Sequence, residues 1–178
     1  MAATVVINEW NGNSTKTDKT GGTIRFKTAD SATVDTNNPI TIPTSAQTHS
    51  YEKWLELQIT GTPPSQRINN LKFYTDGASG YGTGVSLYGE VAATGTFRSA
   101  AQAASANAIP QGGSASKTMT NAFVYTSGGA LSLSSAAETF SGSTTDIGRF
   151  VVLVLTVSAA ASQGTLTAET GTFSYDEV

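Results

Sequence analysis

The stretch His49–Gly61, HSYEKWLELQITG, decides the fold. Its odd positions, Tyr51, Lys53, Leu55, Leu57 and Ile59, are mostly apolar, and its even ones are Glu52, Trp54, Glu56 and Gln58. Successive side chains of a strand point to opposite faces, so this period of two predicts a half-buried β-strand. Leu55, Leu57 and Ile59 supply its core face. Trp54 then lies on the outer face among Glu52, Glu56 and Gln58. Two readings of that tryptophan stand. Either its large area is desolvated at an interface with another protein, or a loop of the same chain, such as the alanine-rich one further on, folds over it.

Working outward, strand patterns recur between turn signals. Residues 3–10 (ATVVINEW) put Val5 and Ile7 on one face, and the polar stretch that follows reads as a loop. Residues 23–28 (TIRFKT) alternate, with Ile24 and Phe26 inward and Arg25 and Lys27 outward. Proline-bracketed NNPITIP, 37–43, suits an edge or an extended connection. Residues 68–77 (INNLKFYTDG) and 84–91 (GVSLYGEV) are joined by a glycine-rich segment that tolerates positive φ, and they are expected to form an antiparallel hairpin. Residues 148–157 (GRFVVLVLTV) are apolar without alternation, as in a central strand buried on both faces or one whose second face meets a partner subunit. In TLTAETGTFSYDEV, 165–178, the apolar side changes register between Leu166 and Phe173, and Gly171 is the expected site of a β-bulge.

From Ala92 to about Gly148 the patterning fades into small residues. There RSAAQAASANA, 98–108, is either a short helix on its alanine content or part of a long loop. The expectation is an all-β chain forming one domain over residues 1–178: an antiparallel β-sandwich, jelly-roll-like, with long small-residue loops and a loop-rich insertion at 92–147.

Composition narrows the function. Among the 178 residues there is no cysteine and one histidine, which removes disulfides, thiolate metal sites and any site needing two imidazoles from one chain. Charged residues are 13%, about half the usual share, with a net charge of -3. Lys and Arg form no stripe, so nucleic-acid binding is not expected. The longest apolar run, Phe150–Val157, is far short of a membrane span of about 20 residues. The first residues lack the basic and apolar segments of a secretion signal, so a soluble protein made without Sec-type export is expected and the sequon Asn13-Ser14-Thr15 should be inert.

Chemical motifs do not add up to a reaction. Ser50-Tyr51-Glu52-Lys53 has the Ser-x-x-Lys spacing of acyl-transfer nucleophiles, but on a strand Ser50 and Lys53 face opposite ways. Gly80-Tyr81-Gly82-Thr83-Gly84 is glycine-rich without the Lys-Ser/Thr and helix of a phosphate loop, so a turn is expected. Glu52 and Glu56 would stand roughly 13 Å apart at about 3.3 Å per residue, beyond the separations that glycosidases use, and read as solvated residues flanking Trp54. Asp76, Asp176 and Glu177 lack the ligand alternation of a calcium loop. His49 reads as a turn or surface residue. No enzyme, cofactor or metal is expected.

Three segments resemble a known group of proteins. SYEKWLELQITGTPPSQRINNLKFYTDG (50–77), GVSLYG (84–89) and GRFVVLVLTVSAAASQGTLTAETGTFSYDEV (148–178) are similar to small all-β virion structural proteins of tailed bacteriophages. In those, a Ser-Tyr-Glu-Lys strand precedes an Asn-Leu-x-Phe/Trp strand, and a VVLxL strand and a TFxYDE segment close the chain. The resemblance covers about half the chain, mostly residues 50–91 and 148–178, and 92–147 lies outside it. It implies a place in the virion after assembly in host cytoplasm, as a capsid decoration (cement) protein on the outer lattice. Its partners would be the major capsid protein or other virion proteins, and the chain itself would form a homo-oligomer. Contacts are expected from Trp10, Trp54, Tyr81, Tyr88 and the loop Ala92–Thr120, including Phe97. Rival readings are a tail, neck or fibre-associated protein, and a carbohydrate-binding module whose aromatics stack on sugar rings. Trp54 has no aromatic at i±2 on its strand, which argues against the last.

Overall fold

In a computed structural model of the chain, the residues described are 2–61, 66–92, 95–97, 99–102, 108–110, 116–142 and 145–178. The strands are β1 (Val5–Asn11), β2 (Thr15–Asp18), β3 (Gln47–His49), β4 (Lys53–Ile59), β5 (Arg67–Thr75) and β6 (Val85–Val91). They continue as β7 (Ala108–Pro110), β8 (Ser116–Thr118), β9 (Thr120–Asn121), β10 (Leu131–Ser132), β11 (Thr139–Ser141), β12 (Thr145–Ser158) and β13 (Gly171–Glu177). A 3₁₀ turn at Ala122–Val124 is the sole helical element among the described residues. None of their helices is long and apolar enough to cross a membrane.

The chain is all-β, with antiparallel sheets packed face to face. The larger has seven strands in the order β2-β1-β4-β12-β6-β9, with β3 also on β12; the smaller has four, with β10 and β11 on one side of β5 and β13 on the other. A jelly roll divides eight strands between its two sheets; this sandwich is unequal. Strand β12 is its spine, as its unbroken apolar run predicts: Phe150–Val157 is buried throughout, paired with β4 and β6.

Between the sheets lies the main core, including Leu55, Leu57, Ile68, Phe73, Val151 and Leu153. The odd face of β4 points into it as the sequence requires. Yet β4 is buried at all seven positions, so its even face is not wet. A second cluster of Trp54, Phe97, Ala100, Met119, Phe150 and Val152 covers the outer side of the large sheet. That sheet is therefore sandwiched twice, by the small sheet on one face and by residues 95–97, 99–102 and Met119 on the other.

Several local expectations change. Strands β5 and β6 do not form a hairpin: β5 belongs to the small sheet and β6 pairs with β12 and β9 in the large one. Their alternation fixes which face is buried but carries no information on the partner strand. The polar stretch after β1 is not all loop, because β2 pairs there with β1 from Asn8↔Asp18 to Asn11↔Thr15. Residues 23–28 are not a strand. Their backbone is bonded irregularly, with Tyr51 N donating to the Lys27 carbonyl at 2.8 Å and Thr28 N to that of Asn38 at 3.0 Å. Ile24 and Phe26 still pack on the core, as do Ile40 and Ile42 of the extended connection at 37–43. Lys27, expected outward, is buried against Asp35 at 2.6 Å. The register shift of the last strand falls between Ser174 and Asp176, not at Gly171, where β13 starts. In the alanine-rich segment, residues 99–102 are extended and Gln102 bridges Tyr51, so the loop reading holds there. Residues 98 and 103–107 of that expectation lie outside the described ones.

Candidate functional site

Cross-strand register builds the outer-face cluster. Trp10 of β1 lies directly opposite Trp54 of β4, and Trp54 opposite Val152 of β12. One row along, Asn8, Glu56 and Phe150 are neighbours. Phe97 is laid over this floor, its ring centroid 5.5 Å from both indoles and 6.5 Å from that of Phe150. Edge-to-face contacts of Phe150 with Trp10 (5.7 Å) and Trp54 (5.5 Å) complete a four-ring clamp, of the tilted geometry that aromatic quadrupoles favour.

Buried carboxylates answer the indole N–H groups. Trp54 Nε1 donates to Glu52 Oε2 at 2.8 Å, and that oxygen also accepts from Ala101 N at 3.3 Å. Glu52 N in turn donates to the Ala101 carbonyl at 3.0 Å, so one glutamate ties the strap, residues 95–97 and 99–102, to the sheet. Trp10 Nε1 donates to Glu56 Oε2 at 2.6 Å, and Gly148 N to Glu56 Oε1 at 2.7 Å. Gly148 has φ +69°, and a Cβ there would come within 2.8 Å of the Gly95 carbonyl oxygen. The strap thus enters against a bulge in β12 that Glu56 holds. Burial pushes the Glu56 carboxyl up to about 7, opposed by the Gly148 amide and reinforced by the nearby Asp146 charge.

The structure therefore chooses between the two readings of Trp54. The tryptophan is 0% exposed, covered by the alanine-rich strap of its own chain. Glu52 and Glu56 are buried, which corrects their reading as solvated flanks; each is paired with an indole. Of the residues expected to make contacts, Trp10, Trp54 and Phe97 are brought together, Tyr88 packs at the cluster's margin, and Tyr81 stands apart, edge-on to Phe123 at 5.8 Å. Trp10, Tyr81 and Tyr88 are half-buried. Phe97 and Trp54 face inward and brace the strap. The sequence carried one sign of this: Glu52 and Glu56 each sit two residues from Trp54, on its own face of the strand, but the pairing of β4 with β1 that brings Trp10 to Glu56 was not readable.

A second polar group lies on the core side, at the end of the sandwich. Lys53 Nζ contacts Glu9 Oε1 at 2.7 Å and donates to the Ser31 carbonyl at 2.7 Å. Lys19 Nζ faces Glu9 Oε2 at 3.8 Å and donates to the Ala32 carbonyl at 2.6 Å. Two lysines and one glutamate thereby pin the 31–32 turn over the sheet. Ser50 is similarly engaged: its hydroxyl donates to the Tyr51 carbonyl at 2.8 Å and accepts from Leu155 N at 3.0 Å. His49, expected at the surface, is buried with Nδ1 2.8 Å from Thr156 Oγ1, and burial lowers its pKa. The nucleophile-like residues of the Ser50–Lys53 stretch are thus committed to the scaffold. Among the described residues no cluster of three His, Asp or Glu side chains could hold a metal ion.

The remaining concavity lies between the sheets. The small sheet covers only part of the large one, and coil at 21–27, 37–42 and 161–170 lines the rest of a cavity of about 900 Å³ that is partly open to the surface. Its floor includes Leu55, Leu87, Leu153 and Leu155, and Phe73 and Phe173 reach it from the small sheet. Sealed and empty, such a void would cost on the order of 20 kcal/mol at about 24 cal/mol per Å³. That exceeds the roughly 5–15 kcal/mol that stabilises a whole domain. The space is therefore filled, by solvent or by a guest.

No family model, curated protein or solved structure matches this chain.

Proposed function

We propose that the chain is a structural protein of a tailed-phage virion, a capsid decoration protein that binds the outer lattice of the head. The observation that carries this reading is where the resembling segments fall. Residues 50–91 and 148–178 contain β4, β5, β6, β13 and most of β12, the strands that frame both sheets. The described residues outside the resemblance supply the strap over the aromatic clamp and the short strands β7 to β11, of which β7 and β8 form a separate two-stranded pair.

In this reading the clamp is the rigid base of the contact surface rather than the surface itself. The strap, with the half-buried edges of Trp10 and Tyr88 beside it, is the face offered to the major capsid protein or another virion protein. Pre-ordering a loop by packing its Phe97 on the rings of Trp10, Trp54 and Phe150 lowers the entropy lost when it docks. A homo-oligomer would engage several lattice subunits at once and gain avidity from contacts that are individually weak. Binding the expanded shell better than its precursor would then stabilise the particle by mass action.

The test is quantitative mass spectrometry of purified particles, comparing this chain's copy number with that of the major shell protein. A ratio near one or a simple fraction supports decoration of the lattice. A dozen copies or fewer moves the protein to the tail or neck, and absence from particles ends the virion reading.

A further inference from the structure

The cavity between the sheets plays no part in that reading and does not depend on it. We infer that it is a binding site for a single uncharged apolar small molecule, of the class of long-chain alcohols or hydrocarbons. Its size of about 900 Å³ falls within the roughly 300–1,000 Å³ of small-molecule sites. Leucines of three adjacent strands form one side and two phenylalanines reach it from the other. Along that leucine and phenylalanine face water finds few of the two to four polar partners that each molecule needs.

The polar groups on the wall decide the class of guest. Lys19 is committed to the Ala32 carbonyl and Glu9, and Lys27 to Asp35. Thr75 Oγ1 is bonded to the Ala122 and Tyr125 carbonyls. Glu169 accepts from Gly80 N, and the remaining cation on the wall, Arg25, is exposed. A carboxylate or ammonium seated against the leucine and phenylalanine face would lose its hydration without gaining an ion-pair partner there. An uncharged chain loses nothing.

The wall also has a way in. Its 161–170 segment is anchored at one end by Ala161, whose N donates to the Ser158 carbonyl at 3.1 Å, and at the other by the Glu169–Gly80 bond. Among the described residues no hydrogen bond ties 162–168 between them to the rest of the chain. Between its anchors that span is held by side-chain packing alone, Leu166 against the core, which makes it the most weakly tied part of the wall.

The experiment titrates the purified full chain with N-phenyl-1-naphthylamine, an uncharged dye that brightens on leaving water. Saturable binding of one dye per chain is expected, displaced by 1-dodecanol and not by laurate. Leu155→Trp fills the floor, and Ile40→Trp fills the cavity from the more tolerant coil wall. Each should weaken dye binding by about tenfold or more by occupying the guest's volume, with the β-type circular dichroism retained. If Leu155→Trp does not fold, Ile40→Trp decides. Absence of saturable binding to the folded wild type, unchanged affinity in a folded filled variant, or displacement by laurate as effective as that by dodecanol would each overturn the inference.

Discussion

Replacing Glu56 with glutamine should abolish a specific part of the protein's pH dependence. The carboxyl is buried beneath the strap, and its pKa is raised from 4.5 to about 7. Because the folded state holds this proton more tightly than the unfolded chain, the associated stability is fully present below about pH 4.5 and is lost as pH rises through 7. At 1.36 kcal/mol per pKa unit, the wild type should lose about 3 kcal/mol across that window from this group alone. The charged groups facing it are Asp146, which raises its pKa, and Lys16, which lowers it and is itself paired with Asp146 at 2.7 Å. His49 titrates in the opposite sense, since its lowered pKa favours folding as pH rises, but it is common to both proteins and cancels. Glutamine removes the charge yet keeps one acceptor oxygen for the two donors, Trp10 Nε1 and Gly148 N, at a pH-independent cost of about 1–3 kcal/mol for the unmatched one. Urea unfolding followed by tryptophan fluorescence at pH 4.5, 6 and 8 measures the difference. The stability of Glu56→Gln relative to wild type should rise by about 3 kcal/mol from the lowest to the highest pH. A difference that stays flat would show that Glu56 is not held in a desolvated site and that the strap does not seal this face.

Other perturbations probe the same packing. Trp54→Ala removes the centre of the aromatic clamp and should cost about 3–5 kcal/mol in urea unfolding, whereas an exposed residue would cost little. Lys53→Met leaves Glu9 with Lys19 alone at 3.8 Å and should destabilise by about 3 kcal/mol; the double variant with Glu9→Gln should recover part of that loss, and additive effects in the double-mutant cycle would argue against the pair. Gly148→Ala must place a Cβ within 2.8 Å of the Gly95 carbonyl at φ +69°, so a loss of about 2 kcal/mol is expected, together with a red shift of tryptophan emission as the strap lifts.

What the sequence alone determined is the set of strands with strong local patterns and the faces they bury. The alternation of Leu55, Leu57 and Ile59 and the unbroken run Phe150–Val157 identify the core strand and the spine of the large sheet, because burial on one face or two is written directly in the period of apolar residues. The weak strands β7 to β11 were not legible, since two or three small residues carry no period. Pairing was not legible either, which is why β5 and β6 were expected to be neighbours and are not. Only the tertiary structure decided the fate of the charged face of β4. A carboxylate on a strand reads as solvated unless something covers it, and the cover, Phe97 and Ala100, comes from some forty residues downstream. Once Trp10 and Trp54 are set opposite each other, Glu52 and Glu56 become acceptors for the two indoles, a role that exists in three dimensions and leaves no period in the chain.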